Sequence, residues 1–188
     1  MLRKSKRSLT TQAFQVLEKV GIKAGQTVLD FGCGSGTYTI PAAKVVGNSG
    51  EVYALDKDKG VLNDLERRAE SEGLTNIEPM HTSGGTEIAL ATESVDVVLL
   101  FDVFHDYYFP SLGERQKLLI EIYRILKPHG LLSVYPKHME TEARDEIEGA
   151  DFSLESEYPA TLVHDVKNLE RGQILNFRKK LKQQAIID

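Results

Sequence analysis

The sequence predicts a doubly wound α/β fold, in which a mostly parallel seven-stranded sheet is covered by helices on both faces. Short apolar segments alternate with segments of helical period, and the connections between them are short. Glycine stands at every second position of the loop after the first strand. With 188 residues the chain can form a full hydrophobic core, so we expect one domain over residues 1–188.

Four short apolar segments in the first part of the chain predict strands. They are residues 27–31, 51–55, 76–81 and 95–101. The last of them is apolar with a single break at Asp96, which is typical of a central strand covered on both faces. Helical spacing predicts helices at residues 11–20 and 37–46, and Asp58 can cap a third helix that follows it.

The second part of the chain predicts two helices and three strands. Ser111 and Glu114 form a capping-box pattern at the start of one helix, and the segment 127–130 ends it with a proline and a glycine. Its expected buried face consists of Leu118, Leu119, Ile122, Ile125 and Leu126. The remaining elements are strands at residues 131–135, 152–158 and 173–177 and a helix at 141–149. Five strand–helix units followed by two strands therefore complete the sheet.

The loop from Asp30 to Gly36 reads Asp-Phe-Gly-Cys-Gly-Ser-Gly and joins the first strand to a helix. Such a loop exposes backbone N–H groups at a helix N-terminus, where they can bind an anionic or polar ligand. Asp56 ends the second strand twenty residues after Gly36, the spacing at which an acid can hold both hydroxyls of a ribose. These features predict a cofactor that contains adenosine.

The glycine spacing separates two classes of cofactor. A dinucleotide fingerprint G-x-G-x-x-G would place its third glycine at position 37, which is Thr37. The pattern G-x-G-x-G with Asp30 before it resembles motif I (E/DxGxGxG) of the class I S-adenosylmethionine-dependent methyltransferases. The resemblance covers residues 21–177 and implies a Rossmann-like sheet of order 3-2-1-4-5-7-6 with strand 7 antiparallel. The alternatives are a nicotinamide enzyme and a glycine turn that serves only a tight strand–helix crossing.

The resemblance implies S-adenosylmethionine as the cofactor and S-adenosylhomocysteine as its product. We expect the glycine loop to hold the methionine part, Asp56 to hold the ribose and Lys57 to flank the adenine. The expected cofactor-binding residues are Asp30, Phe31, Gly32, Cys33, Gly34, Gly36, Asp56, Lys57, Gly84, Gly85, Phe101 and Asp102. Relatives commonly carry a Gly-Asp-Ala-like triplet after strand three, whose acid reaches the adenine amino group, but this chain has Ser83-Gly84-Gly85. Adenine would then be held by backbone groups, by Ser83 or by Thr86.

Residues 101–106, which close the fourth strand, resemble the small-molecule (ubiquinone/menaquinone-biosynthesis-like) branch of the family. That branch often has a histidine at the position of His105. Histidine titrates near neutrality, so His105 is our candidate general base and His138 is a weaker second candidate. The alternative is that His105 orders its loop or packs in the core. A neighbouring aromatic cluster either walls an acceptor pocket or belongs to the core; it consists of Phe104, Tyr107, Tyr108 and Phe109.

The sequence argues against a metal, a membrane span and a nucleic-acid partner. The five histidines are scattered, and residues 136–138 supply no acidic cluster that could bind a metal. No apolar run approaches the roughly 20 residues that span a bilayer. The net charge of −5 is unfavourable for binding phosphate groups. We therefore interpret the basic segment 171–182 and the acidic segment 140–157 as solvated faces, with an RNA-facing strip as the alternative for the basic one. Residues 1–10 are interpreted as a basic, mobile arm, with a lid over the cofactor and an electrostatic contact to an anionic partner as the alternatives.

These observations predict an enzyme that transfers a methyl group from S-adenosylmethionine to a small-molecule acceptor without a metal. Cys33 is the one cysteine, so no intramolecular disulfide can form and a cytoplasmic location is favoured. The alternatives are a protein that binds the cofactor without methyl transfer, as a sensor or partner subunit, and an RNA or protein methyltransferase. The sequence leaves open the acceptor, the methylated atom and the oligomeric state.

Overall fold

The computed structural model describes residues 6–137, 139–164 and 168–181, and within them seven strands form one sheet. The strands are β1 (Thr27–Phe31), β2 (Glu51–Asp56), β3 (Ile77–His81), β4 (Val95–Phe101), β5 (Leu126–Tyr135), β6 (Phe152–His164) and β7 (Asn168–Lys179). The helices are α1 (Lys6–Val20), α2 (Thr39–Val46), α3 (Lys59–Ser71), α4 (Leu112–Ile125) and α5 (Glu140–Gly149). None of these helices is both long and apolar enough to cross a membrane.

The predicted strand order is confirmed as β3-β2-β1-β4-β5-β7-β6. The first five strands run parallel, and β7 is antiparallel to both of its neighbours, β5 and β6. Alternating side chains on each strand face opposite sides of the sheet. Val28 of β1 packs with α1 and α2, whereas Leu29 and Phe31 pack in the cluster that contains α4 and α5. The sheet is therefore covered on both faces, as a doubly wound fold requires.

Helix α1 and strand β5 both begin earlier than the sequence predicts. Helix α1 begins at Lys6 instead of residue 11, so residues 6–10 belong to it and only residues 1–5 of the expected arm lie outside the described residues. The apolar stripe that α1 buries is Ala13, Val16, Leu17 and Val20. Strand β5 begins at Leu126, which the sequence placed on the preceding helix. Leu126 instead pairs with Val95 of β4, and the next pair along the two strands is Val97 with Leu131. The segment 127–130 is thus an irregularity within a strand.

Residues 82–94, which connect β3 to β4, contain no helix, so the first five strands form four strand–helix units and not the predicted five. This connection is held by side chains instead. The Arg124 guanidinium of α4 donates to the carbonyl oxygens of Ile88 and Leu90, both at 2.8 Å. The Ile88 side chain is buried in the core. These contacts satisfy backbone groups that a helix would otherwise satisfy.

The hairpin of β6 and β7 extends well beyond the sheet edge. The last β5–β7 pair is Val134 with Leu175, but β6 and β7 stay paired as far as His164 and Asn168. Because β7 is antiparallel to β5, this overhang projects past the carboxyl end of β5. The overhang comprises residues 159–164 and 168–173, and both strands exceed their predicted lengths.

A buried ion pair connects α4, α5 and the loop after β4. Arg115 donates to both carboxylate oxygens of Glu146, at 2.7 and 2.8 Å, and to the Phe109 carbonyl oxygen at 2.8 Å. The two side chains are only 9% and 13% exposed. Removing one partner leaves the other charge buried without its counterion, which costs more than the pair itself contributes.

We expect Glu146→Ala to lower the free energy of unfolding by about 3 kcal/mol, because the Arg115 guanidinium would stay buried without its carboxylate. Urea denaturation followed by circular dichroism measures this change. Asp145→Ala, on the exposed face of the same helix, is the control and should change stability by less than about 0.5 kcal/mol. Equal losses in the two variants would contradict the structural role of the pair.

Candidate cofactor site

A cavity of about 330 Å³ opens at the carboxyl ends of β1, β2 and β4. In open α/β sheets this edge is where ligands bind. Ten of the expected cofactor-binding residues line it: Phe31, Gly32, Cys33, Gly34, Asp56, Lys57, Gly84, Gly85, Phe101 and Asp102. Three expected site residues, Asp30, Gly36 and His105, lie next to the cavity without lining it.

The glycines of the loop after β1 are required by their backbone angles and by close neighbours. Gly32 has φ 75° and Gly36 has φ 78°, values that side chains disfavour. A Cβ on Gly32 would lie 2.5 Å from Cγ2 of Val103, and a Cβ on Gly36 would collide with the Leu65 side chain. The Gly34 backbone (φ 50°) has open space around its Cβ direction, and it lines the cavity. The loop therefore presents bare backbone to a ligand at Gly34.

Asp56 connects the end of β2 to this loop. One of its carboxylate oxygens accepts from the Gly34 N–H at 2.8 Å, and the other accepts from the Asp58 N–H at 2.9 Å. Each carboxylate oxygen can accept more than one hydrogen bond. Asp56 is therefore held in place by backbone donors and still has acceptor capacity for two ribose hydroxyls.

Asp30 lies behind the cavity and anchors the following helix. Its carboxylate is buried and accepts from the Thr39 hydroxyl at 2.6 Å, at the first residue of α2. Burial raises the pKa of Asp30 from 3.8 to about 6, although the Thr39 hydrogen bond acts in the opposite direction. Burial also raises the pKa of the Cys33 thiol, which therefore stays protonated and is a poor nucleophile.

Asp102 lines the cavity at the end of β4 in a left-handed backbone conformation, with φ 58°. Its N–H donates to the Tyr135 carbonyl oxygen at 3.1 Å, which ties it to β5. The Nε2 atom of His105 lies 3.9 Å from an Asp102 carboxylate oxygen. The Nδ1 atom of His105 accepts from the Tyr107 N–H at 3.2 Å. A neutral His105 in this hydrogen-bonding pattern has its proton on Nε2, on the side of Asp102.

Of the aromatic cluster after β4, some residues line the cavity and one belongs to the core. Phe104 is fully buried in the core, whereas Tyr107 is 80% exposed. Tyr108 and Phe109 line the cavity, and Phe109 also packs against Phe31 with ring centroids 6.2 Å apart. Two members of the cluster can therefore contact a ligand.

Sequence reasoning missed Tyr38, which lines the cavity beside Phe101. The two rings pack edge to face with centroids 4.8 Å apart. The Tyr38 hydroxyl accepts from the Val163 N–H at 2.9 Å, so it connects the glycine loop to the overhanging hairpin. No local pattern predicts a contact between residues this far apart in the chain.

The loop after β3 lines the cavity through Thr82, Gly84 and Gly85, while Ser83 and Thr86 do not line it. Among the described lining residues the carboxylates are Asp56 and Asp102, which belong to the ends of β2 and β4. The end of the cavity next to β3 thus has no carboxylate from the described residues. His138, the second candidate base, lies outside the described residues.

The basic residues at the end of β7 are used within the fold. Arg178 pairs with Glu155 at 2.9 Å, and Lys179 donates to the Leu126 carbonyl oxygen at 2.7 Å. Lys180 donates to the Glu148 carbonyl oxygen at 3.4 Å. Within the described ranges, no group of three or more His, Cys, Asp and Glu side chains is placed to hold a metal.

The residues of the cavity fit an adenosine-containing cofactor. Asp56 lines the cavity and is fixed by two backbone donors, Gly34 offers open backbone, and the Ser35 side-chain oxygen is buried with no hydrogen-bond partner among the described residues. A buried polar atom without a partner is costly unless a ligand or water satisfies it.

Comparisons with known proteins agree with this assignment. A family model described as "Methyltransferase domain" matches residues 28–130, more than half of the chain. The demethylmenaquinone methyltransferase of Lactobacillus johnsonii is 29% identical over 117 residues, 62% of this chain and 46% of that protein. The probable cobalt-precorrin-6B C(15)-methyltransferase (decarboxylating) of Saccharolobus solfataricus is 48% identical over 60 residues, 32% of this chain and 30% of that protein. The chain thus spans less than half the length of these curated relatives.

Among solved structures, an S-adenosylmethionine-dependent methyltransferase from Aquifex aeolicus superposes with a TM-score of 0.73 at 23% identity. The match covers 93% of this chain and 99% of that chain. At this level of identity the likeness demonstrates a common fold.

We expect the stability contributed by Asp30 to fall as the pH rises through the range between 3.8 and about 6. The folded carboxyl keeps its proton to higher pH than the unfolded one, so the free energy of unfolding decreases as the pH rises through this range. Above about pH 6 the loss of stability stays constant. Asp30→Asn removes the ionisation, and its stability relative to the wild type should rise by about 2–3 kcal/mol between pH 4 and pH 7. Urea midpoints at four pH values measure the difference. Asp64→Asn, at an exposed position of α3, is the control, and a constant offset between Asp30→Asn and the wild type would contradict this expectation.

Proposed function

The chain belongs to the methyltransferase-domain family and its cofactor is S-adenosylmethionine, and from this premise we propose that it transfers the cofactor's methyl group to a small-molecule acceptor. The observation that carries the proposal is the hydrogen bond between Asp56 and the Gly34 N–H inside the cavity. It joins a ribose-binding acid to a glycine loop with the G-x-G-x-G spacing. Asp30, Gly32, Gly36 and the other expected site residues belong to this proposal.

The bound cofactor supplies a methyl group on a positively charged sulfur, which leaves as a neutral thioether. The protein must therefore align the acceptor with the methyl–sulfur bond, and orientation alone can lower a barrier by up to ~7–11 kcal/mol. Asp56 and the Gly34 backbone would hold the nucleoside and methionine parts of the cofactor. Phe101, Asp102 and Tyr38 line the opposite end of the cavity, toward β5, where the acceptor would approach.

The overhanging hairpin supports an acceptor site on this side. It projects past the carboxyl end of β5 and is tied to the cavity by the Tyr38–Val163 hydrogen bond. Lys137, after β5, pairs with Glu170 of the hairpin at 2.9 Å, and the Lys137 side chain is only 13% exposed. The hairpin would therefore act as the outer wall of the acceptor pocket and exclude water from the reacting atoms.

The hydrogen bond that the His105 side chain accepts favours a positioning role over that of general base. Its Nδ1 lone pair already accepts from the Tyr107 N–H, and Nε2 is directed toward Asp102. We infer that His105 orders the loop after β4 and orients the Asp102 carboxylate, which is the group that lines the cavity. Asp102 could then accept a proton from an acceptor that must lose one.

The names of the relatives support a small-molecule acceptor, since they specify demethylmenaquinone and a cobalt-precorrin. The internal pairing of Arg178, Lys179 and Lys180 weakens the case for an RNA substrate. A cytoplasmic location is in keeping with the single buried cysteine.

We expect calorimetric titration to detect saturable binding of S-adenosylmethionine and none of NAD. Asp56→Ala should weaken binding by about 10- to 100-fold, because hydrogen bonds to a charged group contribute about 1.5–3 kcal/mol. Asp58→Ala, the neighbouring acid that caps α3 without lining the cavity, is the matched control and should bind within about threefold of wild type. Preference for NAD, or equal affinity of the Asp56 variant, would refute the cofactor site.

Methyl transfer is tested by incubating the protein with methyl-tritiated cofactor and a heat-inactivated cell extract that keeps its small molecules, RNA and protein, which are then separated and counted. Label in a low-molecular-weight product supports the proposed function. Cofactor binding without any transfer would favour the protein that binds but does not transfer, and label in RNA or protein would favour the other alternative.

We expect His105→Ala to weaken the binding of S-adenosylhomocysteine about three- to tenfold, because the loop that carries Asp102 loses a hydrogen bond of about 1 kcal/mol. His105→Asn keeps an acceptor for the Tyr107 N–H and should bind within about twofold of wild type. Calorimetry measures both. If both variants bind as the wild type does and only turnover falls, His105 acts in the chemical step.

A further inference from the structure

The overhanging hairpin reaches back toward the cavity from the far edge of the sheet. Strand β6 is the outermost strand, and β7 and β5 separate it from β4. Val163 of β6 nevertheless donates its N–H to the Tyr38 hydroxyl at 2.9 Å, and the Tyr38 ring packs against Phe101 at the end of β4. The overhang therefore extends past the carboxyl end of β5 to that of β4.

Contacts with the rest of the protein hold the overhang in place. Beyond the last β5–β7 pair it is a two-stranded ribbon, and such a ribbon is only marginally stable by itself. Lys19 of α1 donates to the Pro159 carbonyl oxygen at 3.2 Å. The Tyr135 ring packs against Gly172, where a Cβ would collide with it. Neither Lys19 nor Tyr135 lines the cavity, whereas Tyr38 both contacts the hairpin and lines the cavity.

Tyr38 stands where the cofactor part of the cavity meets the acceptor part. It follows Gly36 by two residues, at the end of the glycine loop and directly before α2. The residue is buried, and its ring is held on one side by Phe101. Because Gly34 and Tyr38 line the same cavity, the methionine part of a cofactor that follows the glycine loop would contact this ring.

Contact with the ring connects the cofactor to the hairpin. The hydroxyl lies at the end of a rigid ring, so a ligand that packs against the ring keeps the hydroxyl near the Val163 N–H. If the hairpin moved away, the buried hydroxyl would lose this donor and the ring would lose the bond that holds it against the ligand. A ligand shifts an equilibrium only by the difference between its affinities for the two states. The Tyr38–Val163 bond supplies such a difference.

We propose that Tyr38 is a positioning residue through which the bound cofactor holds the overhang in place as the wall of the acceptor pocket. The pocket is then complete only when the cofactor is bound. This inference rests on the proposed function for the role of the wall and on S-adenosylmethionine as the cofactor. Its readout is the hairpin itself, so it is tested without an acceptor, and its failure is distinct from a failure of methyl transfer.

Hydrogen–deuterium exchange of the overhang, followed by mass spectrometry with and without saturating S-adenosylhomocysteine, tests this role. We expect the ligand to slow exchange at residues 160–163 and 169–173 by about three- to tenfold in the wild type, which is the factor that one hydrogen bond contributes. Tyr38→Phe keeps the ring but has no hydroxyl, so the ligand should slow exchange there by less than about twofold. Equal slowing in the two proteins would overturn the proposal.

Lys19→Met is the matched control, because it removes a different contact of the hairpin that lies outside the cavity. The slowing caused by S-adenosylhomocysteine should stay within about twofold of the wild-type factor. If both variants lost the slowing, any loosening of the hairpin would have the same effect and the role assigned to Tyr38 would be wrong.

Calorimetric titration provides the second measurement. Coupling between two sites is reciprocal, so Tyr38→Phe should weaken S-adenosylhomocysteine by the same factor by which the slowing falls, about three- to tenfold. A weaker affinity with the slowing intact would mean that the hydroxyl acts on the ligand directly, and would overturn the proposal. No binding by the wild type would refute the cofactor site and this inference with it, whereas binding without slower exchange would overturn the positioning role alone.

Discussion

The hydrogen bond between the Gly34 N–H and the Asp56 carboxylate joins the two parts of the cofactor cavity. Gly34 belongs to the loop after β1 and Asp56 ends β2, and the two strands pair in parallel with Phe31 opposite Leu55. Parallel strands end at one edge of the sheet, so residues 22 positions apart come into contact there. The acid that we propose for the ribose therefore also holds the glycine loop, together with the Leu55 carbonyl oxygen, which accepts from the N–H groups of Gly32 and Cys33.

The end of β1 contains a second acid, Asp30, which has a different role from Asp56. Asp30 is buried on the face that packs against α2, and its bond from Thr39 fixes the start of that helix. Its carboxylate pays a desolvation cost, which raises its pKa, yet it holds the helix at the position where the glycine loop ends. The motif thus combines Asp30, which anchors α2 behind the cavity, with Asp56, which lines the cavity itself.

The parts of the fold that local signals encode were predictable from the sequence. The strand at Thr27–Phe31, the strand at Val95–Phe101 and the capping box of Ser111 and Glu114 are as predicted, because apolar runs and caps depend on neighbouring residues. The predicted count of five strand–helix units and the predicted short lengths of β6 and β7 were wrong. Those features depend on Arg124 and on pairs such as His164 with Asn168, which sequence patterns do not specify.

The candidate site likewise has some features that the sequence predicts and others that depend on contacts formed in the fold. Its cofactor class can be inferred from the sequence because backbone N–H groups and one acid at a fixed spacing form most of it. The roles of single side chains could not be inferred: the hydrogen bond that Nδ1 of His105 accepts depends on a rotamer, and the Lys57–Tyr108 contact joins two loops. The sequence does specify these residues, but only the folded sheet edge brings them together.

This division also explains how one scaffold can serve different acceptors. The glycine loop contributes backbone atoms and Asp56 contributes one carboxylate, and substitutions at other positions leave these atoms unchanged. The acceptor side depends on contacts such as Tyr38 with Val163, which are 125 residues apart, and on the length of a hairpin beyond the last β5–β7 pair. A change in hairpin length or in the residues that tie it to the sheet would reshape the acceptor pocket while the Gly34–Asp56 bond stays in place. Under the proposed function, selectivity for the acceptor and affinity for the cofactor would therefore be largely separable, because different hydrogen bonds hold the two ends of the cavity.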